Sequence, residues 1–173
     1  GNVDLNNTVA QIDLSGTTDT NTISASGSVE LANVVDTGTT TATSPVELVV
    51  TAGTGVTLGT VTLSNTLDVD FDTATGTSTL NAGSLSAGTI EVDGVGTNDV
   101  MNFGSTVVST VAGVTIGNAG TVDLDGDVTG ATTVTISDVG TEIDLAAGVD
   151  ITASGGNVDL NNTVAQIDLS GTT

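Results

Sequence analysis

Residues 156–173 read GNVDLNNTVAQIDLSGTT, and residues 1–18 read the same, letter for letter, 155 positions earlier. Chance does not give an identity of that length at a fixed distance. The duplication reads as a tandem array: residues 1–155 form one long unit, and residues 156–173 open the next identical one. Self-similarity at a fixed period marks a repeat architecture, and 155 residues are too many for one supersecondary unit. Each long unit must therefore be built of smaller ones.

The smaller element is a three-residue word, aliphatic–acidic–aliphatic. It occurs as Val3-Asp4-Leu5, Ile12-Asp13-Leu14, Val29-Glu30-Leu31, Ile90-Glu91-Val92, Val122-Asp123-Leu124 and Ile143-Asp144-Leu145, and again in the duplicate as Val158-Asp159-Leu160 and Ile167-Asp168-Leu169. A neutral form carries threonine in the middle, as in Val56-Thr57-Leu58, Val114-Thr115-Ile116 and Val134-Thr135-Ile136. Alternation with period two places the aliphatics on one face of a strand and Asp, Glu or Thr on the other. Val3, Leu5, Ile12, Leu14, Val122, Leu124, Ile143 and Leu145 are thus expected to face inward. Helix is disfavoured, because apolar residues do not recur at three and four and Thr, Val, Gly and Asn are weak helix formers.

Turn signals separate the words: Asn6-Asn7, Ser15-Gly16, Asn81-Ala82-Gly83, Asn118-Ala119-Gly120, Asp125-Gly126 and Ser154-Gly155-Gly156. The fold class that follows is all-β, a parallel β-solenoid of short strands with Gly/Asn corners. A tandem β-sandwich is the alternative on strand count. The sandwich calls for longer strands and aromatic core residues, whereas the chain has two Phe and neither Trp nor Tyr. Comparable words recur at spacings such as Val3 to Val29, Val114 to Val134 and Val134 to Val158. Seven coils of about 22 residues would fill one unit at the strand spacing of a sheet. The word fades between Thr73 and Gly88 and between Asp93 and Asn98, where looser corners are expected. Pro45 suits a strand start or a corner, Phe71 and Phe103 the widest interior positions, and Met101 a gap beside Phe103.

Charge excludes several functions. The chain carries 21 Asp plus Glu and no Lys, Arg or His, a formal net charge of -21. Nothing neutralises phosphate, so nucleic acid is not an expected partner. No apolar run of about 20 residues inserts directly into a membrane. With no His, Lys, Cys or Tyr, the usual bases and activated nucleophiles are missing, and the chain reads as a non-enzyme. Calcium is the one cofactor the carboxylates suggest, since hard cations take oxygen ligands. The densest candidate is Asp123, Asp125 and Asp127, followed by Asp68, Asp70 and Asp72, although neither set has the spacing of an EF-hand loop. Outward carboxylates stacked in adjacent coils would repel one another, so the acidic copies should be staggered or interleaved with Thr and Asn. Runs at Thr18-Thr20-Thr22 and Thr39-Thr41-Thr43 lie 21 residues apart and, if stacked, would make a flat threonine array of the kind that binds ice.

The Val-Asp-Leu and Val-Thr-Ile strands, their Asn/Gly and Ser-Gly corners and the scarcity of aromatics resemble the repeat regions of giant bacterial surface proteins. The filamentous-haemagglutinin-like adhesins are the group they resemble most. The resemblance covers the whole chain. It implies a right-handed parallel β-helix with triangular coils, export, an extracellular or cell-surface location, and a rod, filament or sheath. It also implies adhesion, for which a cell-surface or polysaccharide ligand is the expected partner. Independently of the resemblance, uncapped solenoid ends carry unpaired backbone groups, so end-to-end association with neighbouring repeats is expected. No catalytic residue carries over. A structural rod is the function expected, with a calcium-dependent adhesive module and an ice-binding solenoid as alternatives.

Overall fold

A computed structural model describes residues 1–6, 11–14, 20–36, 47–72, 76–160 and 166–168. Pro45, Thr39 to Thr43 and Thr73 to Thr75 lie outside the described residues. The chain winds as a succession of coils. The first holds β1 (Val3–Leu5), β2 (Ile12–Asp13) and β3 (Thr20–Ala25). The second holds β4 (Ser28–Val35) and β5 (Glu47–Ala52), and the third β6 (Gly55–Thr62) and β7 (Thr66–Phe71). The fourth holds β8 (Thr79–Ala82), β9 (Leu85–Ala87) and β10 (Thr89–Asp93), and the fifth β11 (Val100–Phe103), β12 (Val107–Ser109) and β13 (Val114–Gly117). The sixth holds β14 (Thr121–Leu124), β15 (Val128–Gly130) and β16 (Val134–Ser137). The seventh holds β17 (Glu142–Leu145), β18 (Ile151–Ala153) and β19 (Val158–Asp159), and β20 (Gln166–Asp168) begins the eighth.

Each coil has three faces. Face one stacks β1, the start of β4, the start of β6, β8, β11, β14, β17 and β20. Face two stacks β2, the ends of β4 and β6, β9, β12, β15 and β18. Face three stacks β3, β5, β7, β10, β13, β16 and β19. Because β4 and β6 run across the first corner, faces one and two join as one sheet and face three forms the other. Every pairing between described strands is parallel, which removes the sandwich alternative, an antiparallel architecture. The spacings Val3 to Val29, Val114 to Val134 and Val134 to Val158 are register pairs of this structure.

Period-two alternation decides what points inward. On face one the inner columns are Val29, Val56, Leu80, Met101, Val122 and Ile143, and beside them Leu31, Leu58, Ala82, Phe103, Leu124 and Leu145. All are buried. Phe103 is flanked by Ala82 in the coil before it, so a small side chain makes room for a large one. Met101 and Phe103 are both fully enclosed, and Phe71 is 4 % exposed at the end of β7. On face three the columns are Leu48, Leu67, Ile90, Val114 and Val134, and Val50, Val69, Val92, Ile116 and Ile136. Strands this short suffice because in the inner coils each strand is laddered on both sides and each inward side chain packs within its column.

Of the residues expected to face inward, Val122, Leu124 and Ile143 are fully buried, Leu14 and Leu145 nearly so, and Val3 and Ile12 pack partly against the core. Leu5 is 46 % exposed although it pairs with Leu31, because no described coil lies below the first. The looser corners expected between Thr73 and Gly88 are corrected over the described residues 76–88, which hold β8 and β9 with Leu80, Leu85 and Ala87 fully buried. There Asn81 and Ser86 replace the outward acid, which hides the word without changing the parity. The corner inside β6 is tight. An added Cβ on Gly59, at the bend inside β6, would lie 1.8 Å from the Ala32 carbonyl oxygen. Backbone cannot yield to such a contact, so only glycine fits there.

Candidate functional site

The chemistry-bearing residues of this chain are its outward carboxylates, and the ladders set them in columns. On face one the outer column runs Asp4, Glu30, Thr57, Asn81, Asn102, Asp123, Asp144 and Asp168. Like charges thus meet at both ends and neutral residues separate them in the middle. Asn102 Nδ2 donates to Asn81 Oδ1 at 3.0 Å, a hydrogen bond between rungs where an acid pair would repel. On face three Asp68 lies beside Glu91 and Asp70 beside Asp93. The same two columns continue as Thr115 and Thr135 and as Gly117 and Ser137. The expected interleaving is therefore partial.

The crowding alters the acids. Burial, then the neighbouring Asp70, Glu91, Glu47 and Asp93, push the Asp68 carboxyl from 3.8 up to about 6. Asp70 is raised by burial and by Asp93. Asp123 is raised by burial, then by Asp125 and Asp144. In each case the charged form is the one penalised.

Asp123 projects outward from β14 between Asn102 and Asp144. Asp125 and Asp127 sit in the corner that follows, both exposed, and Asp127 Oδ1 accepts the Asp150 backbone N–H at 3.0 Å. Asp68 and Asp70 project from face three, and Asp72 lies exposed just beyond β7. Among the described residues no three carboxylates converge on a point that could hold a metal ion. The described threonines of the first row do not stack on threonine: Thr20 pairs with Glu47, to which its hydroxyl donates, and Thr22 pairs with Val49. The described members of those rows make no flat threonine array.

One carboxylate is of another kind. Asp99 is 2 % exposed and closes the looser corner after β10. Its Oδ1 accepts the Ser78 N–H at 2.8 Å, and its Oδ2 accepts the N–H groups of Val95 at 2.8 Å and Gly96 at 3.2 Å. Its own carbonyl accepts from Gly120 and Thr121. Asp99 thus ties three successive coils together. Asp99 lies outside any aliphatic–acidic–aliphatic word, so the word pattern does not mark it. The available signal was an Asp closing a Gly-Val-Gly-Thr-Asn loop, a position where Asp side chains bind local backbone.

Beside that loop, successive corners leave a half-open depression of about 320 Å³, lined by Val95, Thr97, Asn118, Asp138 and Val139. Asn118 and Asp138 carry φ values of 54° and 55°, a left-handed conformation that Asn and Asp tolerate. The depression holds no nucleophile paired with a base. Every buried side-chain polar atom among the described residues has a hydrogen-bond partner. Among those residues there is no catalytic constellation, and the carboxylates serve as surface and as corner ties. No protein-family model, curated protein or solved structure matches the chain.

Proposed function

We propose that the chain is a segment of a rigid extracellular rod, filament or sheath belonging to a giant surface protein. The observation that carries the reading is the unbroken stacking of coils in parallel register on all three faces, in a sequence that begins again after 155 residues. A solenoid of this kind lengthens without limit, since each coil contacts only its neighbours. The outward carboxylates give the rod a self-repelling surface, which opposes side-to-side aggregation of a long β protein. A cell-surface or polysaccharide ligand would meet a broad face of such a rod.

Negative-stain electron microscopy of the purified chain, with calcium and with chelator, tests the reading. Thin rods or end-to-end filaments in both conditions are expected. Compact globules in both would overturn it. Rods seen only with calcium would transfer the rigidity from the ladders to ions held by the carboxylates.

A further inference from the structure

The two copies of the duplicated segment are identical in sequence and occupy different places in the coil. In the first, Val3 lies on face one and pairs with Val29, while Ile12 lies on face two and pairs with Val34. In the second, Val158 lies on face three and pairs with Val134, while Ile167 lies on face one and pairs with Ile143. Both anchors of the segment have moved back by one face. From Val3 to Val158 the chain completes six coils and two further faces.

We infer that the repeat and the coil are out of step by one face, so that each successive copy of the repeat docks on the one before it turned by a third of a turn about the rod axis. The inference rests on the tandem-rod reading above. The docking surface is the rung formed by β18, β19 and β20, and its occupant is the continuation of the second copy. Val158 prolongs the buried column through Val114 and Val134, and Ile167 prolongs the column through Val122 and Ile143. Yet Val158 is 41 % exposed and Ile167 46 % exposed, whereas Val134 and Ile143 are fully buried. The next coil of the same copy is what covers them. In the first copy that coil brings Val29 against Val3 on face one, and in the second the same pairing falls on face three.

Two physical features permit the shift. The word needs only inward aliphatics at alternate positions, and all three faces offer that. The corners also absorb different lengths: Val3 pairs with Val29 but Val114 with Val134, so a coil can gain or lose residues without changing the parity of its strands. The consequence concerns the surface. A feature on face three in one copy, such as the pairs Asp68–Glu91 and Asp70–Asp93, falls on face two in the next copy and on face one in the third. Three copies then restore the starting orientation after 20 coils, about 95 Å at a strand spacing of about 4.8 Å. The acidic ladders wind around the rod instead of adding into one continuous stripe, which limits like-charge stacking and leaves no face without charge.

The chain contains no cysteine, so paired cysteines report the register directly. Neighbouring outward positions on adjacent strands, about 4.8 Å apart, lie within disulfide reach. The test compares three doubly substituted chains. Thr115→Cys with Thr135→Cys reports a face-three rung inside the first repeat. Thr135→Cys with Asp159→Cys reports the turned copy. Asp144→Cys with Asp159→Cys reports a second copy that keeps the phase, because Asp159 would then occupy the place beside Asp144 that Asp168 holds. The expected result is efficient oxidation of the first two pairs and at least about tenfold slower oxidation of the third, which lies beyond disulfide reach. Rapid closure of Asp144→Cys with Asp159→Cys, with the first pair still closing, would overturn the turned copy and leave the rod standing. Failure of the first pair would overturn the solenoid register, and both readings with it.

Discussion

Face three carries one pair of outward columns through two different surroundings. In the rungs of β7 and β10 the columns hold Asp68, Asp70, Glu91 and Asp93, and in the rungs of β13 and β16 they hold Thr115, Gly117, Thr135 and Ser137. The inward columns do not change character: Leu67, Ile90, Val114 and Val134 are all fully buried. The two halves therefore share a fold and differ in charge. The lesson is that the ladder and the inner columns hold the coil together, and that the outward acids are tolerated at a cost.

The largest effect should ignore the difference between the halves. Ile90→Asp and Val134→Asp each bury a carboxylate with no basic side chain in the chain to pair with it, and each should cost more than about 4 kcal/mol and abolish cooperative folding. Glu91→Thr should cost nothing measurable. Thermal melts that showed equal losses for Ile90→Asp and Glu91→Thr would break the assignment of inside and outside. Next comes the corner between the halves. Asp99→Ala leaves the N–H groups of Ser78, Val95 and Gly96 without their acceptor and should cost about 2–4 kcal/mol in denaturant titrations.

Smaller effects should separate the halves. Asp68→Asn with Asp70→Asn relieves the crowding and should raise stability at neutral pH by less than about 1 kcal/mol, since both groups are half-exposed and screened. The unaltered chain should show the same relief as a pH dependence. Asp68 is raised from 3.8 to about 6 in the folded chain, so between those values the folded state holds more protons than the unfolded one. Stability should then fall as the pH rises from about 4 to about 6 and level off above that. The double Asn variant should flatten that slope, and a slope left unchanged would show that Asp68 and Asp70 are not its source. The smallest effect is the converse substitution. Thr115→Asp extends the acidic ladder beside Glu91 into the neutral half and should lower stability by about 0.5 kcal/mol at low salt, with the loss fading as salt is added.

Much of this is legible in the sequence alone. The alternation around Asp123 and Asp144 placed Val122, Leu124 and Ile143 inside, and they are inside. What escaped was context. Asn81 and Ser86 disguised two regular strands, because a neutral outward residue removes the acidic marker while the buried Leu80 and Leu85 remain. Thr20 and Thr22 looked like members of a threonine array and instead meet Glu47 and Val49, because the coil at that point is longer than the spacing of the threonine runs. Asp123, Asp125 and Asp127 are neighbours in sequence, and the structure sets Asp123 on β14 and the other two, exposed, in the corner that follows.

By itself, the sequence determined parity. Side chains alternate strictly along a strand, so a word such as Val-Asp-Leu has only one way to bury its aliphatics, and that choice is local. It also determined the chemistry, since a chain without Lys, Arg, His or Cys has few reactive groups to arrange. Only the tertiary structure decided which face each word occupies. Two identical segments prove the point, with Val3 on face one and Val158 on face three. The three faces are equivalent to a short alternating word. Its place is chosen by the columns already laid down beneath it and by the length of the corners before it, and neither is contained in the word.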